Sequence, residues 1–174
     1  DDGYLFKQGP ASGLSKIKFA DWKPAFERFA HLPNVKIFLE QIDSLTQLVM
    51  TAPPTEAQQK DLDYLQVLGQ LFAQVVYAQL ICESSALAMD AGEIRPGSVS
   101  QLDHLTEAHI DRMFAVFIQD TAEQAVALHG QASATDDQRS GALGLIRNPV
   151  IEKDAEDAFV AEVLSYDGAY EWRP

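Results

Sequence analysis

The residues of this chain that could do chemistry are few, and their spacing excludes most reactions. Glu-x-x-His, the pair from which a helical bundle builds a di-iron site, occurs nowhere. His104 and His109 are five apart, which sets them about 140° apart around a helix and prevents them from chelating one metal. Neither Cys-x-x-Cys nor His-Glu-x-x-His is present, so no metal is expected. Gly9, Gly13, Gly141 and Gly144 follow neither the dinucleotide nor the P-loop spacing that cradles phosphate. Ser84 and Ser85 fall inside a helical stretch, where a hydroxyl bonds back to the preceding turn. No nucleophile, histidine and carboxylate come together as a triad. Cys82 lies in an apolar run with no Lys, Arg or His close in sequence, and reads as a small buried hydrophobe rather than a reactive thiol.

What remains is a set of ionisable residues on otherwise apolar faces: Glu83, then Asp111, Arg112 and Asp120, with Glu123 beyond them. The plain reading is interhelical salt bridges and solvated edges. The functional reading is a buried polar cluster of Glu83, Asp111, Arg112 and Asp120 lining a ligand site. His129, near a helix C-terminus, reads as a charge on the helix dipole rather than a base.

The elements that must position these residues are helical. Residues 1–20 show no helical period and carry Gly3, Gly9, Pro10 and Gly13, so they read as an extended arm with at most one short strand. Asp21 can cap a short helix from Trp22 to Ala30, with Pro24 in its first turn. Asn34 then caps a helix to about Met50, with Val35, Phe38, Ile42, Leu45 and Val49 on one stripe. Thr55 with Gln58 forms a capping box that opens a helix to about Asp90. That helix has two apolar stripes: Leu62, Leu65, Gly69, Phe72, Val76 and Leu80, and Tyr64, Leu68, Leu71 and Val75. Apolar on two sides, it is expected to be central and packed on both.

A Gly/Pro loop over 91–100 leads to a second long helix from Ser100 to His129. Leu102, Leu105, Ile110, Phe114, Phe117, Thr121 and Leu128 form its stripe, and Gly130 is the expected left-handed residue at its end. Thr135 with Gln138 repeats the capping box and opens a helix to about Arg147. Asn148-Pro149 opens a last helix to about Tyr166. The spacing thus predicts an all-α bundle of about five helices over 21–166. Its two long central helices run antiparallel, between the extended N-terminal arm (1–20) and a tail (167–174).

Composition narrows the function classes. The chain has 174 residues, 47% of them hydrophobic and 22% charged, which suits one globular domain and not a disordered chain. Its net charge of -13 opposes binding to nucleic acid and anionic membrane. One cysteine makes no intramolecular disulfide, and no secretory h-region opens the chain. The apolar run from Val67 to Cys82 is shorter than the ~20 residues of a membrane span. These features fit a cytoplasmic protein with no transmembrane segment.

Several stretches resemble one family. They are Lys16-Ile17-Lys18-Phe19 through Pro33-Asn34-Val35, Leu68 to Glu83, Ile110 to Gly130, and the ending Tyr166-Asp167-Gly168-Ala169-Tyr170-Glu171. Together they resemble the extra C-terminal helical region of long bacterial acyl-CoA dehydrogenase-like flavoproteins, over nearly the whole chain. The resemblance implies a parent oxidoreductase that oxidises a fatty acyl thioester with FAD, using a carboxylate base in its upstream core. It also implies that neither the flavin site nor the base lies in this chain. Leu128-His129-Gly130 is similar to the Leu-His-Gly-Gly turn near the flavin in that family. Here Gln131 replaces the second glycine, and its Cβ would obstruct a close approach to pyrophosphate. The expectation is a non-catalytic accessory domain whose partners are the enzyme's own upstream core and a second copy in a homodimer. The alternatives are a free-standing protein-interaction bundle and a small apolar-ligand binder built around Glu83.

Overall fold

A computed structural model describes residues 22–94 and 105–165, with the side chains of 91–94 set aside. The arm over 1–20, the cap at Asp21, the helix start at Ser100, Leu102, His104 and the tail over 167–174 lie outside those residues. The described residues form six α-helices: α1 (Lys23–Glu27), α2 (Pro33–Thr51), α3 (Leu62–Ile94), α4 (Glu107–Gly130), α5 (Asp136–Leu143) and α6 (Lys153–Ser165). A short 3-10 turn (Gln58–Lys60) precedes α3, and no strand occurs among the described residues. The all-α bundle read from hydrophobic spacing is the observed architecture.

Contacts at the helix ends fix the topology. Ser133, just past α4, donates to the Asp61 carboxylate at the start of α3 (2.7 Å), so the two long helices run antiparallel. Asn34 on α2 meets Asp111 on α4, and Gln41 on α2 meets the Ile118 carbonyl. Both pairs are 77 residues apart, so α2 and α4 run parallel and in constant register. At the other end of the bundle α1 stands beside the last turns of α3, where Arg28 reaches the Ala86 carbonyl and Asp90.

The core sits between α2, α3 and α4. Phe26, Phe38 and Phe114 are fully buried, and Phe117 packs beside them. Phe114 meets Phe26 and Phe117 edge-on at 6.0 and 5.6 Å between ring centroids, and Phe38 at 5.5 Å. These are the offsets that aromatic quadrupoles favour. From α2, Val35, Phe38, Ile42, Leu45 and Leu48 enter the core, as the helical period requires.

The expected central position of α3 is only half right. Tyr64, Leu68, Leu71, Val75, Ala78 and Cys82 form its buried face. On the other stripe Leu62 is 80% exposed and Leu80 50%, and Phe72 is only partly buried. Leu62, Val76 and Leu80 on that stripe are exposed while Phe72 packs at the edge of the core, so α3 is a wall of the bundle and not its axis. By length and composition alone, Leu62–Asp90 would also serve as a membrane span. Its Tyr64–Cys82 face, however, is already committed to the protein core.

Several boundaries also differ from the sequence reading. Leu32 is the N-cap of α2 and Pro33 its first residue, because Asn34 turns inward to other partners. The Thr55–Gln58 box closes the 3-10 turn instead of opening α3, which is capped by Asp61 through the Asp63 and Tyr64 amides. Thr106 caps α4 in a box completed by His109. Gly130 stays helical, and Gln131 (φ -60°, ψ 131°) ends α4, because Arg139 takes up the free carbonyls of His129 and Gln131. α5 stops at Leu143, where the chain tightens through turns at Gly144 and Leu145. α6 begins at Lys153 and not at Pro149, because the Val150 backbone is held by Asn34.

Phe114→Ala should lower the unfolding free energy by about 3–5 kcal/mol, the usual cost of emptying a full aromatic site. Phe72→Ala, on the outer face of α3, should cost clearly less. Urea denaturation compares them, and equal losses would contradict the one-sided packing of α3.

Candidate functional site

The polar residues singled out in the sequence do not converge on one point. Glu83 is exposed on α3 and accepts a hydrogen bond from Gln79 one turn earlier (2.8 Å). Asp120 is half-buried on α4, two and a half turns beyond Asp111. Only Asp111 and Arg112 share a site, in a cleft of about 340 Å3 between α4, α6 and the start of α2. The four-residue buried cluster around Glu83 is therefore not what the fold assembles, because Glu83 lies on the outward face of α3.

In that cleft Asp111 acts as an external cap for α2. Its Oδ1 accepts from the Asn34 amide (2.8 Å) and its Oδ2 from the Asn34 side-chain amide (2.7 Å). A carboxylate is favoured there because the first-turn N–H groups of a helix lack partners and its dipole is positive at that end. Asn34 is itself buried and fully engaged: Nδ2 also donates to the Val150 carbonyl (3.0 Å), and Oδ1 accepts from the Val150 amide (2.8 Å). One asparagine thus pins the extended 146–152 segment to both α2 and α4.

The other charged groups of the cleft attach α6. Arg112 bonds Glu156 at 2.7 Å, and His109 Nε2 meets Glu162 at 3.2 Å. His109 Nδ1 accepts from the Thr106 amide (3.1 Å), which leaves the ring proton on Nε2, facing Glu162. Phe159 packs against His109 and Arg112 at 5.7 and 6.0 Å. The Arg112–Glu156 ion pair is partly solvated and worth at most about 1 kcal/mol, and the His109–Glu162 contact is a partly solvated hydrogen bond. α6 buries no residue fully and is the most lightly held helix of the bundle.

Two further polar assemblies went unread in the sequence. The capping boxes at Thr55–Gln58 and Thr135–Gln138 face each other. Each glutamine accepts its own threonine's amide and donates to the other glutamine, at 2.7 and 3.0 Å. Spare donors reach the Ser133, Ala52 and Pro53 carbonyls. The repeated Thr-x-x-Gln was legible, but the meeting of the two copies depends on tertiary structure. Gln41, fully buried between α2 and α4, donates to the Ile118 and Leu145 carbonyls (3.2 and 2.8 Å). Its Oε1 and the Thr121 hydroxyl have no partner among the described residues.

The remaining candidates for chemistry are structural as well. Cys82 is buried on the core face of α3, and burial pushes its thiol up to about 12, with Glu83 adding to the effect. A thiol so protonated is a poor nucleophile. His129 Nδ1 donates to the Arg139 carbonyl (3.1 Å), while Arg139 covers the end of α4. Among the described residues, no three His, Cys, Asp or Glu side chains are grouped to hold a metal. What this polar inventory can do chemically is fasten helices to one another.

Asp61 shows the same role with a pH signature. The Ser133 hydroxyl and the Tyr64 and Asp63 amides hold its carboxyl below the ordinary 3.8. A carboxyl depressed in the folded state stabilises fully above its unfolded value and loses that contribution as pH falls through the folded one. Asp61→Ala should therefore destabilise the chain at pH 7, and the gap from the parent chain should narrow steadily below pH ~4. Denaturant melts at pH 7 and at pH 2.5 test this, and a gap that stays constant would contradict it.

Compared with protein-family models, curated proteins and solved structures, the chain has no significant match.

Proposed function

We propose that this chain is a non-catalytic helical packing module, the accessory C-terminal domain of an acyl-CoA dehydrogenase-like flavoenzyme. The observation that carries the reading is where the polar groups go. Among the described residues, Asp111, Arg112, Asn34, His109, Gln41, Gln58, Gln138 and Arg139 are engaged in bonds between elements, so these polar groups are spent on structure. Apolar side chains are meanwhile left outward. The α3 stripe is one such surface, and Val160, Val163 and Leu164 on α6 are another. A domain with spent polar chemistry and surplus apolar surface is suited to packing against protein, which is also what a free-standing interaction bundle would offer. The stretches that resemble the flavoprotein family favour the accessory domain. In that setting the parent supplies FAD and the carboxylate base. The domain covers the enzyme core, supports a subunit interface or walls part of an acyl channel.

The reading is tested by the reading frame upstream of the Asp1 codon and by its product. The frame should encode a flavin-binding core whose product reduces its FAD with a fatty acyl-CoA, while residues 1–174 alone run colourless through gel filtration. A frame that opens at Asp1, or stoichiometric FAD on the isolated chain, would overturn it.

A further inference from the structure

We propose that the bundle binds one structural water molecule in the buried layer around Gln41, where it bridges Gln41 Oε1 and the Thr121 hydroxyl. The inference holds whether or not the accessory-domain reading does. Gln41 is 1% exposed and Thr121 4%, and among the described residues neither of these two oxygens has a hydrogen-bond partner. A buried polar atom in that state has given up its hydration for nothing, which is why such atoms are rare in folded proteins.

The surroundings decide what each oxygen needs. Gln41 Nε2 donates to the Ile118 and Leu145 carbonyls at 3.2 and 2.8 Å. Those two bonds settle the orientation of the amide, because exchanging its N and O would set an oxygen against two carbonyls. Oε1 therefore needs a donor. On α2 the helix hydroxyls bond back to the preceding turn, Ser44 to Glu40, Thr46 to Ile42 and Thr51 to Gln47. Thr121 on α4 does not, although the Phe117 carbonyl stands at the same offset. Its hydroxyl proton therefore needs an acceptor.

The two needs are complementary and lie in one layer. In an α-helix the side chain three residues on stands one turn above a given residue, on the same face. The Ile118 carbonyl that accepts from Gln41 therefore has Thr121 beside it, and Ile118 and Thr121 are both buried. A direct bond would satisfy both oxygens, but they do not meet within hydrogen-bonding distance. One water completes the layer by accepting from the Thr121 hydroxyl and donating to Gln41 Oε1, within the roughly two to four partners of a buried water. An apolar ligand would leave both oxygens unpaired. Water also has a route of entry. A groove of about 440 Å3 runs between α2 and α5, lined by Ser44, Gln47, Ser140 and Gly144 among others. Its Ser44 is one turn from Gln41 on α2, and its Gly144 adjoins Leu145.

Oxygen-17 relaxation dispersion of the solvent counts long-lived waters in the full chain. Thr121→Val keeps the shape of the side chain and removes the hydroxyl. It should lower the count by about one molecule, or shorten that water's residence time about tenfold, the equivalent of one lost hydrogen bond. Thr121→Ser, which keeps the hydroxyl, should leave both readings as they are in the parent chain. Readings that Thr121→Val does not change, or that Thr121→Ser changes as much, would overturn the proposal. A crystal structure of the parent chain decides the matter independently should Thr121→Val fail to fold. It should show an ordered water in contact with both oxygens. A Thr121 hydroxyl bonded directly to Gln41, or back to the Phe117 carbonyl, would overturn the proposal.

Discussion

The contact between Asn34 and Asp111 sets the frame on which the bundle is built. α2 and α4 are parallel neighbours, and parallel neighbours cannot be joined by a short loop. Their register must come from side chains. Asn34 fixes it at one end through two bonds to Asp111, and Gln41 repeats the same offset of 77 residues two turns further on. With that register set, Phe38 and Phe114 meet at 5.5 Å and the aromatic core closes around them. The same asparagine holds Val150, which delays the start of α6 and opens the cleft in which Arg112 and His109 receive it. A polar pair at this position adds little net stability compared with apolar packing, but it penalises every register that leaves it unpaired.

That role accounts for several of the buried and half-buried polar groups among the described residues. Catalytic groups need unspent protons or lone pairs aimed at a space where substrate fits. Here Asp111 is consumed by a helix N-terminus, Arg112 by Glu156, and Arg139 by the end of α4. Cys82 is held as a thiol by the core around it. The fold spends its polar side chains inward, between helices, and leaves aliphatic ones outward on α3 and α6. The packing role proposed above would use that outward apolar surface.

How far the sequence was legible follows the range of each interaction. Period-3.6 stripes placed α2 to within a residue at each end and found the bodies of α3 and α4, whose starts lie seven residues beyond the expected Thr55 and Ser100, because each stripe is a local record of one buried face. The Thr135–Gln138 box marked the start of α5 correctly, since a capping box closes within four residues. The Thr106–His109 box escaped notice because histidine replaces the usual Glu or Gln at its third position. The two stripes of α3 were both visible, yet nothing local says which one meets the core. Tyr64 and Leu71 do and Leu62 and Leu80 do not, and that choice belongs to α2 and α4. Asn34 was read as a cap because its neighbours in sequence suit one, while its actual partners are 77 and 116 residues away. Glu83 and Asp111 looked alike as charges on apolar helices, and only the packing separates the solvated one from the engaged one.

The most direct test of this account is a double-mutant cycle on Asn34 and Asp111, read by urea denaturation. If their contact is the fastener that sets the register of α2 on α4, the coupling between Asn34→Ala and Asp111→Ala should be about 1.5–3 kcal/mol, the range for a hydrogen bond to a charged group. Coupling within about 0.5 kcal/mol of zero, the size expected of independent sites, would contradict it.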